Sequence, residues 1–184
     1  MKDCAIIQYE FPPGTTINIK KFPFIILDYS KEYPWLVKVI SEKPIWRDPF
    51  GVSSTWENST LRRSLNNGLR YELIKSLFGT DKMYYFFRDT SPVDKSNTNS
   101  IIDSVSLLTL EEYSKYKYTC GIHKASEKWW LLTPRSTAYC GNDKSVFCVN
   151  KNGLVDFQLC GFKAGVRPVV VTDISVISES EIIK

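Results

Sequence analysis

Cys120-Gly121-Ile122-His123 is the place in this chain where a thiol and an imidazole stand close together, and His123 is its only histidine. A thiol and an imidazole can form a nucleophile–base dyad. A Cys-x-x-His pair completed by two more thiols can hold zinc tetrahedrally. Cys140, Cys148 and Cys160 follow in the same half of the chain. Seven and then eleven residues separate these three, which is not the ligand spacing of a zinc knuckle. No metal and no cofactor are therefore expected. No catalytic residue is assigned either, because a dyad three residues apart in a polar stretch lacks a rigid frame. With Cys4 the cysteines number five, and the odd count reads as reduced thiols, with a disulfide open to two of the last four in an oxidising compartment.

Other chemistries find less support. The chain has no nucleophile-elbow serine, phosphate-binding loop or dinucleotide fingerprint. Asp81, Asp89, Asp94 and Asp103 are scattered and do not make a calcium loop. The net charge is +4, and its densest basic spots are only Lys20-Lys21 and Arg62-Arg63, so nucleic acid is not an expected partner. No apolar run reaches the ~18 residues of a membrane span. The first residues carry no apolar stretch of signal-peptide length. A cytoplasmic location, or export without a cleaved signal, is the resulting expectation. Aromatic residues reach 14%, enough to build a core of large rings or to present rings on a binding face.

The elements that must position these residues read as β, then α, then β. Residues 15–20, 22–29 and 35–40 alternate or are rich in β-branched and aromatic residues, and predict three strands, the last two forming a hairpin. Residues 43–55 read as a loop. Leu61, Leu65, Leu69, Leu73 and Leu77 recur every four residues and predict one face of a helix, capped by Asn58 or Ser59 and broken at Gly68. Residues 88–100 read as a polar loop. Residues 105–108 predict a short strand, and Thr109 to Tyr116 a brief helix with Glu112 completing a capping box. Strands are expected over 129–132, 145–150, 154–159 and 166–171, with Asn152-Gly153 as a two-residue turn. At 184 residues and 21.2 kDa, one domain over 15–184 is expected, with 1–14 as an N-terminal arm or first strand. The fold class is α+β, with the first and last strands sharing a sheet.

Three segments carry a resemblance: Thr55-Trp56-Glu57-Asn58-Ser59-Thr60-Leu61-Arg62 with Leu65-Asn66; Val105-Ser106-Leu107-Leu108; and Trp129-Trp130-Leu131-Leu132-Thr133-Pro134, closing at Gly165-Val166-Arg167-Pro168. Their order resembles an uncharacterised bacterial domain family with W-E-x-S-x-L-R, W-W-L-R-S-P and G-V-R-P motifs. That family looks like a branch of the C-type-lectin-like fold, beside formylglycine-generating-enzyme-like domains and retroelement variable proteins. Leu132 and Thr133 depart from it, standing where the family has Arg and Ser. The resemblance implies a small twisted antiparallel sheet with one or two helices.

As a structural signature, Trp56, Arg62, Trp129, Trp130, Gly165, Arg167 and Pro168 are expected to serve the fold. Trp56 would cover the first helical turn, and Arg62, Arg167 and the Trp129-Trp130 pair would form one cluster of guanidinium groups stacked on rings. Gly165 would permit a close backbone approach, and Pro168 suits a strand start. The region before the closing motif is rich in Tyr, Asn, Asp, Ser and Phe. By resemblance, ligand-facing positions fall there on Tyr139, Asn142, Asp143, Lys144, Phe157, Gln158 and Phe162. The calcium-binding triplets of sugar-binding lectins are absent. The expected function is non-catalytic recognition of a protein or glycan, in a phage, mobile-element or host-interaction setting. The competing classes are a metal- or thiol-dependent enzyme using Cys140, Cys148 or Cys160, and a structural assembly subunit.

Overall fold

Strand-forming residues set the frame, and in the computed structural model they fall in three places along the chain. The structure describes residues 4–95, 98–123, 125–135, 144–178 and 181–182. The elements run α1 (Cys4–Glu10), β1 (Thr16–Ile19), β2 (Phe22–Tyr29), β3 (Leu36–Ser41), β4 (Trp46–Pro49), α2 (Thr60–Asn67) and α3 (Leu69–Phe78). After a short 3-10 turn come β5 (Met83–Tyr84), β6 (Phe86–Asp89), β7 (Ser100–Asp103), β8 (Val105–Ser106) and α4 (Leu110–Thr119). The chain closes with β9 (Trp129–Pro134), β10 (Ser145–Val149), β11 (Val155–Leu159), β12 (Lys163–Val166), β13 (Val169–Asp173), α5 (Ser175–Ser178) and β14 (Glu181–Ile182).

The fold is mixed α+β. A seven-stranded sheet has the order β14-β1-β2-β3-β13-β5, with β8 sharing the free side of β13. A five-stranded sheet runs β11-β10-β9-β12-β4, and β6 pairs with β7. Every pairing is antiparallel except β12 with β9. This is more sheet than the single small one expected. The first and last strands do share a sheet, through β1 with β14 and β3 with β13.

Central strands are buried on both faces, so their sequences are continuously apolar. In β2, Phe24 and Ile26 enter one apolar cluster while Ile25 and Leu27 enter a second on the opposite face. In β9, Trp130 and Leu132 join the first cluster, and Trp129 and Leu131 the second. Helices α1, α2 and α3 supply the first cluster with Ile7, Leu61, Leu65, Ile74, Leu77 and Phe78, and α4 supplies the second with Tyr113 and Tyr116.

Several expectations are corrected. Residues 4–10 form a helix, not an arm or strand, and they bury Ile7 and the following Phe11. The leucine ladder is not one face. Gly68 takes an extended conformation, with ψ −174°, and restarts the helix in a new phase. Leu61 and Leu65 are buried in α2, but Leu69 is 90% exposed and Ile74, Leu77 and Phe78 are the buried residues of α3. Within 43–55 lies β4, and the ends of 88–100 belong to the β6–β7 pair. The Asn152-Gly153 turn holds three residues rather than two: Asn150 N donates to Leu154 O at 2.9 Å, and Gly153, at φ 76°, occupies the left-handed position. Residues 166–171 are not one strand, because Arg167-Pro168 passes the chain from β12 in one sheet to β13 in the other.

Candidate functional site

The signature residues divide into two separate structural clusters. Ser59 caps α2 by accepting from Arg62 N at 3.0 Å. That start points Arg62 Nε at Asp103 Oδ1, 2.8 Å away, while Trp56 Nε1 donates to Asp103 Oδ2 at 2.6 Å. Asn66, one helical turn later, accepts from Ser104 N and Val105 N, both at 3.1 Å. The W-E-x-S-x-L-R segment thus clamps the β7–β8 corner, with Glu57 bonded to Thr90. Arg62 takes no part in the expected joint stack. Arg167 does stack on Trp129, 4.6 Å from the ring centre, and donates to Ser41 O at 2.9 Å and Ile122 O at 2.7 Å. Trp130 turns to the other face, donating to Asp48 O at 2.8 Å and meeting Phe50 edge-on. Gly165 lies where a Cβ would sit 2.7 Å from Pro44 Cγ, and Pro168 immediately precedes β13.

Sequence reading missed a buried charge network. Arg88, at 2% exposure, donates to both carboxylate oxygens of Glu112, at 2.8 and 2.5 Å, and to Leu107 O at 2.6 Å. Lys38 adds a 2.9 Å bond to Glu112, and Thr109 N one of 3.0 Å. Burial works against ionisation of Glu112, but the bonds and charge of Arg88, with Lys38, hold its carboxyl far below the usual range. Only the capping box was visible locally, because Arg88 and Lys38 lie 24 and 74 residues away in sequence.

The described thiol candidates do not converge. Cys120 donates to Leu27 O at 3.5 Å, whereas His123 Nδ1 lies 2.7 Å from Lys117 O. Cys148 and Cys160 are buried in the first apolar cluster. Burial pushes the Cys148 thiol up to about 12 and raises those of Cys120 and Cys160. Protonated, buried thiols are poor nucleophiles. Cys140 lies outside the described residues, and among those described no group of three His, Cys, Asp or Glu could hold a metal.

Of the expected ligand-facing residues, Tyr139, Asn142 and Asp143 also lie outside the described residues. Lys144 and Phe162 come together around a shallow hollow of about 320 Å³, with Val52, Leu159 and Cys160. Phe157 projects from β11 under Arg135, whose guanidinium lies 3.8 Å from the ring centre. Gln158, its neighbour along the strand, points to the opposite face. The four described residues therefore do not line one pocket.

A groove of about 370 Å³ gathers more ring chemistry. It lies between the β2–β3 hairpin, the β5–β6 junction and α4, lined by Tyr29, Tyr33, Tyr85, Phe86 and Tyr116 with Asp28 and Lys38 among them. Tyr85 is 72% exposed, and Tyr33, edge-on to Trp35 at 5.5 Å, is 43% exposed. Asp28 accepts from Lys115 at 2.6 Å and from Tyr116 OH at 3.1 Å. Burial opposes its charge, but Lys115 and these bonds keep its pKa below the ordinary carboxylate value. Burial raises Tyr29 and Tyr116 to about 12, so both hydroxyls stay protonated. The groove thus offers exposed rings beside an ionised carboxylate and fixed cations, without an activated nucleophile. No protein family, curated protein or solved structure matches the chain. Among the described residues, no helix is long and apolar enough to cross a membrane.

Proposed function

We propose that this chain is a non-catalytic, C-type-lectin-like recognition module that binds a glycan-type ligand in the aromatic groove. The groove between Tyr33, Tyr85 and Asp28 carries the reading. Sugars present flat C–H faces that pack on exposed rings, and hydroxyls that bond to carboxylate and ammonium groups. Few pocket types need both. The W-E-x-S-x-L-R and G-V-R-P segments support the lectin-like assignment, and the phage, mobile-element or host-interaction setting rests on that resemblance alone. The enzyme alternative draws no support from Cys148 and Cys160, which burial keeps protonated.

The test is a glycan array followed by calorimetric titration of the strongest hit. Binding should fall about tenfold or more in Tyr85→Ala and in Asp28→Asn, each loss being about 1.4 kcal/mol or greater. An array without hits, or a hit indifferent to both substitutions, would sink the proposal.

A further inference from the structure

A second surface, away from the groove, carries an independent inference. Among the described residues, β11 is an outermost strand of the five-stranded sheet. The bonds Asn150 N to Leu154 O, at 2.9 Å, and Cys160 N to Lys144 O, at 2.7 Å, fix the phase of its ladder with β10. In that phase the even-numbered residues of β11 bond to β10, and Val155, Phe157 and Leu159 turn their N–H and C=O groups outward. Among the described residues, two of these groups are met locally: Phe157 N donates to Asp156 Oδ1 at 2.8 Å, and Leu159 O accepts from Phe162 N at 3.0 Å. Val155, Phe157 and Leu159 are 41%, 45% and 52% exposed. The strand therefore shows both an apolar row and a bonding edge.

Protein edges are normally guarded by Pro, by Lys or by a bulge. The opposite edge of this sheet, β4, carries Arg47, Asp48 and Pro49. β11 reads Val-Asp-Phe-Gln-Leu, without Pro or Lys, and its register with β10 is regular. We propose that β11 pairs with β11 of a second copy of this chain, antiparallel across a twofold axis centred on Phe157. That register sets Phe157 opposite Phe157, Val155 opposite Leu159, and Asp156 opposite Gln158. Every apolar position then meets an apolar position, and the carboxylate meets an amide donor. Residues with outward backbone groups face each other, so the ladder bonds close. Asp156 keeps Lys128 on Oδ2 at 2.7 Å and exchanges its Oδ1 bond to Phe157 N for the partner's Gln158, which gives up its 3.4 Å bond to Lys163 O, while the partner's Phe157 carbonyl takes the freed N–H. A shift of one pair in one direction puts Asp156 against Asp156. A shift in the other sets Val155 opposite Gly161 and leaves it without an apolar partner. An isologous contact is self-limiting, so it yields a dimer and not a fibre.

Light scattering on the eluting full chain should give a concentration-dependent mass approaching twice 21.2 kDa. Phe157→Lys should elute as a monomer that still unfolds in one cooperative transition, at a melting temperature that no longer depends on protein concentration, since the ring is half-exposed. The register is read from Gln158: Gln158→Lys should tighten the dimer and Gln158→Asp loosen it, each by about fivefold, because each change meets Asp156 twice across the axis. A wild-type monomer at every concentration overturns the proposal, whether or not it accepts extended peptides at this edge. So does a dimer indifferent to Phe157→Lys, or one that both Gln158 variants shift in the same direction.

Discussion

Glu112 caps α4 and also anchors Arg88 and Lys38, so a single carboxylate ties the β6–β7 pair, β3 and α4 together. Its side chain is only 18% exposed, and Arg88 is nearly fully buried, so removing the carboxylate leaves a buried guanidinium without its counter-charge. Glu112→Gln should lower unfolding free energy by about 3 kcal/mol, read from urea denaturation at neutral pH. The pH sign follows from its depressed pKa. The folded state holds this proton more weakly than the unfolded chain, whose value is near 4.5. The stabilisation is therefore complete above that value and declines as pH falls below it. Urea midpoints from about pH 6 to about pH 3 should drop in the wild type and much less in Glu112→Gln. The thiols give a second residue-scale test. At about pH 8 a thiol of pKa about 12 is ionised at roughly one part in ten thousand. Cys148 should resist an aromatic disulfide reagent in the native protein and react at once in guanidinium. Rapid native labelling of Cys148, located by mass spectrometry, would contradict its burial.

At the scale of elements, the passage from β12 to β13 determines how the sheets meet. Gly165 has no side chain because Pro44 and Lys128 O occupy that space, so Gly165→Ala must displace the Pro44 ring or the backbone at Lys128. A loss of about 2 kcal/mol is expected in thermal or urea unfolding, and a stability equal to wild type would show that the approach relaxes freely. The G-V-R-P segment was legible as a tight approach followed by a strand start, and both readings hold. What the sequence hid was that the strand changes sheets there, since apolar residues 166 and 169–171 read as one run whichever sheet receives them. At the leucine ladder the break at Gly68 was legible and two helices do meet there, but the new phase that exposes Leu69 was not. Capping chemistry is local, so Ser59 and the Thr109–Glu112 box were readable. The groove was not readable, because its rings come from residues 29, 33, 85, 86 and 116 and converge only through sheet topology. Of the ligand-facing residues expected near the closing motif, the described ones spread over two faces of β11 and its flank, because alternation along a strand separates neighbours.

For the whole molecule, two apolar clusters on opposite faces of shared strands raise the question of whether the chain unfolds as one unit. Arg167 bears on it directly. It is fully buried, and no carboxylate among the described residues is paired with it. Burial accordingly pulls its pKa down. Its role is geometric: Nε bonds to Ser41 O in the seven-stranded sheet, Nη1 to Ile122 O, and the guanidinium lies on Trp129 of the five-stranded sheet. A planar fork that stacks and donates in two directions has no substitute in lysine, whose ammonium is a single point. Arg167→Lys should therefore destabilise nearly as much as Arg167→Ala, by about 3 kcal/mol or more, since either leaves buried carbonyls unmet. The distribution of that loss is the informative part. If the sheets form one cooperative unit, far-ultraviolet dichroism and tryptophan fluorescence will shift together to a lower urea midpoint with an unchanged slope. If Arg167 joined two units that are stable alone, the variant's two signals would separate. The interleaving of β9 and β2 into both clusters favours the coincident outcome, because neither face of these strands can open without exposing the other.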